Sequence, residues 1–215
     1  MDIYLFDLDG TLTDPKTGIV NSVLYALDSF GISIENNDCL TEFIGPPLRQ
    51  SFKALFGFND SDTEKAVGKF RERYYAKGIY ENILYDGIET MLQKLKDAGK
   101  TLFIATSKPT NQAEIVLSHF NIDKYFTYMS GSELNGDRSL KSDVISYALE
   151  QNGIADLSCC IMIGDRKHDV IGAKTVGMKS VGVLYGYGSK AELSEAGADF
   201  IVGDVGELTS LLPEL

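Results

Sequence analysis

The sequence predicts an α/β protein, a parallel sheet with helices on both faces, with an α-helical cap inserted early in the chain. Three observations predict it. Apolar residues fill positions 3 to 6, as in a strand covered on both faces. About 65 residues after that strand carry helical spacing and no convincing strand. From Tyr85 onward, helix and strand patterns alternate to the end, and that succession builds parallel sheets through right-handed crossovers.

The first strand, within IYLFDLDGTLTD, closes on Asp7 and Asp9 and is broken by Gly10. TGIVNSVLYALDSFGI has apolar residues at 19, 20, 23, 24, 27 and 30, which is helical spacing. PPLRQSFKALFG is a second helix, opened by prolines and closed by Gly57. SDTEKAVGKFRERYYAKG is a third, with Ser61 or Asp62 as its cap. GIETMLQKLKDAG is then a helix, KTLFIATS a strand, TNQAEIVLSHFNI a helix and YFTYMSG a short strand. KSDVISYALEQNG, CCIMIGD, HDVIGAKTVG, MKSVGVLYG, KAELSEAGA, DFIVGD and GELTSLL continue the alternation. The expected division is a core of residues 1–14 and 83–215 and a cap of 15–82, with hinges near 14 and 82.

The bulk numbers exclude several function classes. A chain of 215 residues, 44% hydrophobic and 24% charged, can bury a real core and is not disordered. A net charge of −11 repels polyanions, so neither a nucleic-acid polymer nor an anionic membrane is an expected partner. A small anion in a local cationic pocket remains compatible with that charge. No apolar run approaches a membrane span, no signal-peptide pattern precedes the first strand, and a cytoplasmic location is expected. The three cysteines, Cys39, Cys159 and Cys160, have no framework spacing and read as reduced thiols. Cys159 and Cys160, as strand neighbours, are expected to point to opposite faces as small core residues.

In such a sheet, ligands bind beyond the carboxyl ends of the strands. Strands here end at Asp7 and Asp9, at Thr106 and Ser107, and at Asp165, with Asp169 following four residues later. Lys141 opens the helix before the IMIGD strand. Clustered carboxylates repel one another and need a hard dication such as Mg²⁺ to hold them together. The same cation would offset the charge of a phosphate ester. Lys141 would add a second positive charge, keeping Asp7 ionised and able to attack phosphorus. Thr106 and nearby backbone N–H groups would hold the non-bridging oxygens, and Asp9 could protonate the leaving oxygen and later deprotonate water.

DLDGT at 7–11, the strand ending in Thr106, Lys141 and GDRKHD at 164–169 together resemble the four motifs of the haloacid-dehalogenase superfamily, in order and over the whole chain. The second aspartate, Asp9, resembles the phosphatases rather than the dehalogenases of that superfamily. LTDPKTGIVNSVLYAL, FIGPPLRQSF, DRSLKSDVI and GVLYGYGS look closest to a phosphoglycolate-phosphatase-like or 5′-nucleotidase-like branch with a helical cap. The third motif departs from relatives that have Lys-Pro, because Ser142 follows Lys141. The resemblance implies a Rossmann-like core and phosphate-monoester hydrolysis through an aspartyl-phosphate, with a small phosphorylated metabolite as partner. It makes Asp7 the nucleophile and Asp9 the acid/base. Mg²⁺ would be held by the Asp7 carboxylate, the Asp9 backbone carbonyl and Asp165, with Asp169 supporting.

Other readings compete. A calcium loop counted from Asp7 needs glycine and glutamate where the chain has Leu12 and Gly18, so that reading fails. Arg49 and Lys53, four apart on one helix face, either meet a substrate's distal anion or form a solvated basic edge. A phosphonatase with Lys53 as Schiff base, or a phosphomutase, would use the same core. A phosphoacceptor signalling module has no need of Asp9 or a cap. His168 is expected to pack or hydrogen-bond rather than bind a hard cation. GYGS at 186–189 is either a loop near the site entrance or a flexible turn.

Overall fold

The computed structural model describes residues 2–133, 138 and 140–215; Asp137 and Ser139 of the DRSLKSDVI motif lie outside them. The chain forms two compact units, residues 1–13 with 84–215, and residues 14–83.

The first unit carries a six-stranded sheet. Its strands are β1 (Ile3–Phe6), β4 (Thr101–Pro109), β5 (Tyr128–Ser132), β6 (Cys160–Gly164), β7 (Lys179–Val183) and β8 (Phe200–Val202), in spatial order β5-β4-β1-β6-β7-β8. Every pairing is parallel. The chain runs from β1 outward through β4 and β5, then returns to the other side of β1 for β6. The reversal places a switch point at the carboxyl end of β1, where Asp7 follows the strand. Between the strands come α4 (Ile88–Asp97), α5 (Thr110–His119), α6 (Lys141–Gln151), α7 (Lys167–Val176), α8 (Lys190–Ala196) and α9 (Val205–Leu211).

β1 is buried along its whole length, as its unbroken apolar run requires. Ile3 and Leu5 join Phe103, Ala105 and Met162 in one core with Val144, Ile145 and Ala148 of α6 and Ala173 of α7. Each such large side chain, fully buried, contributes about 1.5–3 kcal/mol. Tyr4 points to the opposite face and donates its hydroxyl to Leu212 O at 2.6 Å.

The second unit is helical: α1 (Lys16–Asp28), α2 (Leu48–Phe56) and α3 (Asp60–Ala76), with a 3₁₀ segment over Asp38–Phe43 that the sequence pattern does not announce. Its core includes Phe43 and Phe52, edge to face with ring centroids 4.8 Å apart. Gly57 ends α2 in the left-handed region, as its position after the helix predicts. Two short strands, β2 (Thr13–Asp14) and β3 (Ile83–Leu84), pair where the chain passes from one unit to the other.

Three expectations are corrected. The cap of α3 is Asn59, whose side chain accepts from Asp62 N, because the helix starts earlier than its apolar pattern shows. The strand expected over 125–131 starts at Tyr128, residues Asp123–Tyr125 forming a 3₁₀ turn instead. Cys159 and Cys160 do not point to opposite faces. Cys159 ends a 3₁₀ turn, and both thiols donate to the Asp156 carbonyl, at 3.4 and 3.5 Å. Among the described residues no helix is long and apolar enough to cross a membrane.

Candidate active site

The site lies at the carboxyl edge of the sheet, within the first unit. Asp7 leaves β1 with its backbone N–H still bonded to Ile163 O of β6 at 2.9 Å, so its carboxylate projects from the sheet's central pair. Asp165 follows β6 directly, and Asp169 sits on the first turn of α7, its Oδ2 accepting from Arg166 N at 3.1 Å. Carboxylate oxygens of Asp7, Asp165 and Asp169 all lie within 4.8 Å of one another, and all three residues are buried.

Lys141, buried at the start of α6, enters this cluster. Its Nζ lies 3.0 Å from Asp7 Oδ1 and 2.7 Å from Asp169 Oδ1, and it donates to Ala105 O at 3.0 Å. Burial works against its charge, yet Asp169 and Asp7 outweigh burial and hold the ammonium above its ordinary range. Asp7 Oδ1 also accepts from Leu8 N at 2.8 Å; both contacts fall on Oδ1.

The carboxylates are strained electrostatically. Burial, then the charges of Asp169 and Asp7, push Asp165 well above the usual carboxylate range. Burial likewise pushes Asp169 up to about 6, against the pull of Lys141. Asp165 Oδ1 is buried with no hydrogen-bond partner among the described residues, while Oδ2 accepts from Tyr187 N at 2.7 Å. Three buried oxygen donors with one left unpaired fit a hard cation.

Close backbone approach makes room for them. Gly10 has φ +84, and a Cβ there would lie 2.2 Å from Asp165 Oδ2. A Cβ on Gly186 would lie 2.2 Å from Gly10 O and 2.4 Å from Asp165 Cβ. The GYGS stretch is therefore packed against Asp165 and is no free turn. Tyr185, just before it, donates its hydroxyl to Thr11 O at 2.9 Å.

Asp9 is not part of that carboxylate triad. Its Oδ2 lies 2.5 Å from the Nζ of Lys108, and its Oδ1 is buried without a hydrogen-bond partner among the described residues. Thr106 is buried, with Oγ1 accepting from Lys108 N at 3.2 Å. Ser107 is half-buried, and its carbonyl accepts from Ser132 Oγ at 2.7 Å. Lys108 belongs to none of the four motifs; its adjacency to Thr106 and Ser107 at a strand end is the signal it carries in the sequence. Arg49 and Lys53 lie on α2 in the second unit. Arg49 makes a two-pronged pair with Glu64, 2.5 Å from Nε and 3.0 Å from Nη2, and Lys53 lies 2.6 Å from Asp60. His168 is exposed and outside the carboxylate cluster.

With that geometry in place, similarity to known proteins is informative. Residues 4–183 match the model of the haloacid dehalogenase-like hydrolases. The chain belongs to this family. A 5′-nucleotidase of Pseudomonas aeruginosa is 43% identical over 208 residues, covering 97% of this chain and 94% of that protein. Tyrosine-protein kinase PtkA of Mycobacterium tuberculosis is 40% identical over 187 residues, covering 86% of this chain and 63% of that protein. The crystal structure of a predicted phosphatase from Clostridium acetobutylicum superposes with a TM-score of 0.95 at 47% identity, covering 100% of this chain and 99% of that one. As a haloacid dehalogenase-like hydrolase, the chain carries the carboxylate–lysine cluster at the sheet edge where its fold binds ligands.

Proposed function

We propose that this hydrolase cleaves phosphate monoesters of small metabolites, with a nucleoside 5′-monophosphate as first candidate substrate and phosphoglycolate as second. One observation carries the reading: Asp7, Asp165 and Asp169 cluster at the carboxyl edge of the sheet, and the buried Lys141 meets Asp7 and Asp169. The 43% identity to a 5′-nucleotidase over nearly the whole chain supports the choice of substrate.

Asp7 attacks phosphorus through Oδ2, since Oδ1 is held by Leu8 N and Lys141. The Oδ2–P bond forms as the ester P–O bond breaks, and Asp9 gives its proton to the leaving oxygen. Water then attacks the aspartyl-phosphate, its proton goes to Asp9, and Asp7 is released with inorganic phosphate. Lys141, 3.0 Å from Asp7 Oδ1, orients that carboxylate and offsets the charge of the phosphoryl oxygens. The Thr106 hydroxyl, its oxygen already accepting from Lys108 N, retains a hydrogen to donate to a phosphoryl oxygen. The carboxylates of Asp7, Asp165 and Asp169 and the Asp9 carbonyl would hold Mg²⁺, which would supply charge neutralisation at the phosphoryl group.

Two alternatives fare worse. A Schiff-base lysine needs a desolvated site, whereas Lys53 is exposed and paired with Asp60. The kinase relative has more than a third of its length outside the match, and its activity is not carried over.

The test is phosphate release from nucleoside 5′-monophosphates with Mg²⁺, in excess chelator, and by Asp7→Asn. Turnover should vanish in chelator, return with Mg²⁺ and be absent in Asp7→Asn, with the fold unchanged by circular dichroism. Near wild-type turnover in Asp7→Asn would remove Asp7 as nucleophile, and full activity in chelator would remove the metal.

A further inference from the structure

Lys108 reaches Asp9 through an irregularity in β4. Ala105 pairs with Ser130, but the next pairing is Pro109 with Ser132, so four steps along β4 match two along β5. The extra length is taken up by residues 106–108, a bulge of the kind that re-aims side chains beside active sites. Two hydrogen bonds fasten it: Ser132 Oγ to Ser107 O, and Lys108 N to Thr106 Oγ1. Its product is an almost fully buried ammonium, 4% exposed, set 2.5 Å from a carboxylate that is 14% exposed.

Stability does not explain this pair. A buried ion pair is often no better than apolar residues of similar volume. Here Asp9 Oδ1 is also left buried without a hydrogen-bond partner among the described residues, which costs stability rather than adding it. The two lysines of the site also divide their duties. Lys141 meets Asp7 and Asp169, and Lys108 meets Asp9.

We propose that Lys108 is the positioning residue of Asp9. By holding Oδ2 it fixes the carboxyl group so that Oδ1 is the oxygen that gives a proton to the leaving alkoxide and later takes one from water. The inference rests on the reading of Asp9 as acid/base and adds the residue that aims it.

The test compares kcat/KM, which reports the ester-cleaving half-reaction, on two probes. A nucleoside 5′-monophosphate has a poor alkoxide leaving group that needs the proton. p-Nitrophenyl phosphate has a good one that does not. Lys108→Met should lose about 10²-fold on the nucleotide, within the range of acid–base contributions, and less than about fivefold on the aryl ester. Lys108→Arg should recover most of the nucleotide loss. The double variant Asp9→Asn/Lys108→Met should be no worse than Asp9→Asn alone, because a positioning residue has nothing left to aim. Should Lys108→Met melt early, Lys108→Gln carries the same comparison.

Equal losses of Lys108→Met on both esters, or losses that multiply in the double variant, overturn the proposal and make Lys108 a phosphate-binding or structural residue. Asp9→Asn separates this failure from that of the underlying reading. If Asp9→Asn itself spares the nucleotide as much as the aryl ester, the acid/base assignment falls and the role of Lys108 with it. If Asp9→Asn discriminates between the esters and Lys108→Met does not, only the positioning role is refuted.

Discussion

The two units of this chain handle charge in opposite ways. In residues 1–13 with 84–215, Lys141 and Lys108 are almost wholly buried and meet carboxylates at the ends of parallel strands. In residues 14–83, Arg49 and Lys53 are exposed and pair with Glu64 and Asp60 nearby on helix surfaces. Between these extremes stands Arg73, which pairs with Glu81 at 2.8 Å while half-buried and also donates to Ser22 Oγ. Water can replace a lost partner on the helical surface; it cannot do so beneath the sheet edge. Charge is therefore costly machinery in the first unit and a solvated coat in the second.

Lys141→Met tests the contrast most severely. It leaves Asp7 and Asp169 buried without their cation, and it should cost about 3–5 kcal/mol in urea unfolding as well as phosphatase turnover. A loss no larger than that of a surface pair would dissolve the distinction between the units. Next comes Gly10→Ala, which forces a side chain into the left-handed region and against Asp165. About 1–3 kcal/mol of strain should appear in thermal melts, with weakened Mg²⁺ stabilisation of the same protein. If the variant binds Mg²⁺ as wild type does, the close approach of Gly10 does not shape the proposed metal site.

Arg73→Met should fall between the two classes, at about 1–2 kcal/mol, because its partners are only partly shielded. The smallest change is expected for Arg49→Ala, below about 1 kcal/mol by urea midpoint. Kinetics on that variant sharpen the comparison further. A KM that rises for a nucleotide but not for an aryl phosphate would make Arg49 a substrate contact, and an unchanged KM on both would leave it a surface ion pair.

Much of the architecture is legible in the sequence. The unbroken apolar run of β1, the helix–strand alternation after Tyr85 and the helical spacing of residues 19–30 are local periodicities, and local periodicity survives in sequence. The aspartates at strand ends were legible for a related reason: a carboxylate directly after a buried strand has few places to go. Boundaries were less legible. The cap of α3 lies at Asn59, ahead of the apolar pattern, and Cys159 ends a 3₁₀ turn rather than opening a strand, so the cysteine pair breaks strand alternation.

By itself, then, the sequence determined the α/β class, the helical insertion and the identity of Asp7, Asp165, Asp169 and Lys141 as residues to watch. Tertiary structure alone decided which of them lie together and which oxygens are left without partners among the described residues. It also decided that Lys108 turns to Asp9, and that GYGS packs onto Asp165. The physical reason is range. Secondary structure follows from neighbours three or four residues apart, whereas the 2.5 Å meeting of Lys108 with Asp9 joins residues 99 apart in sequence through a bulge. No periodicity encodes that bulge; the packing of β4 between its neighbours in the sheet does.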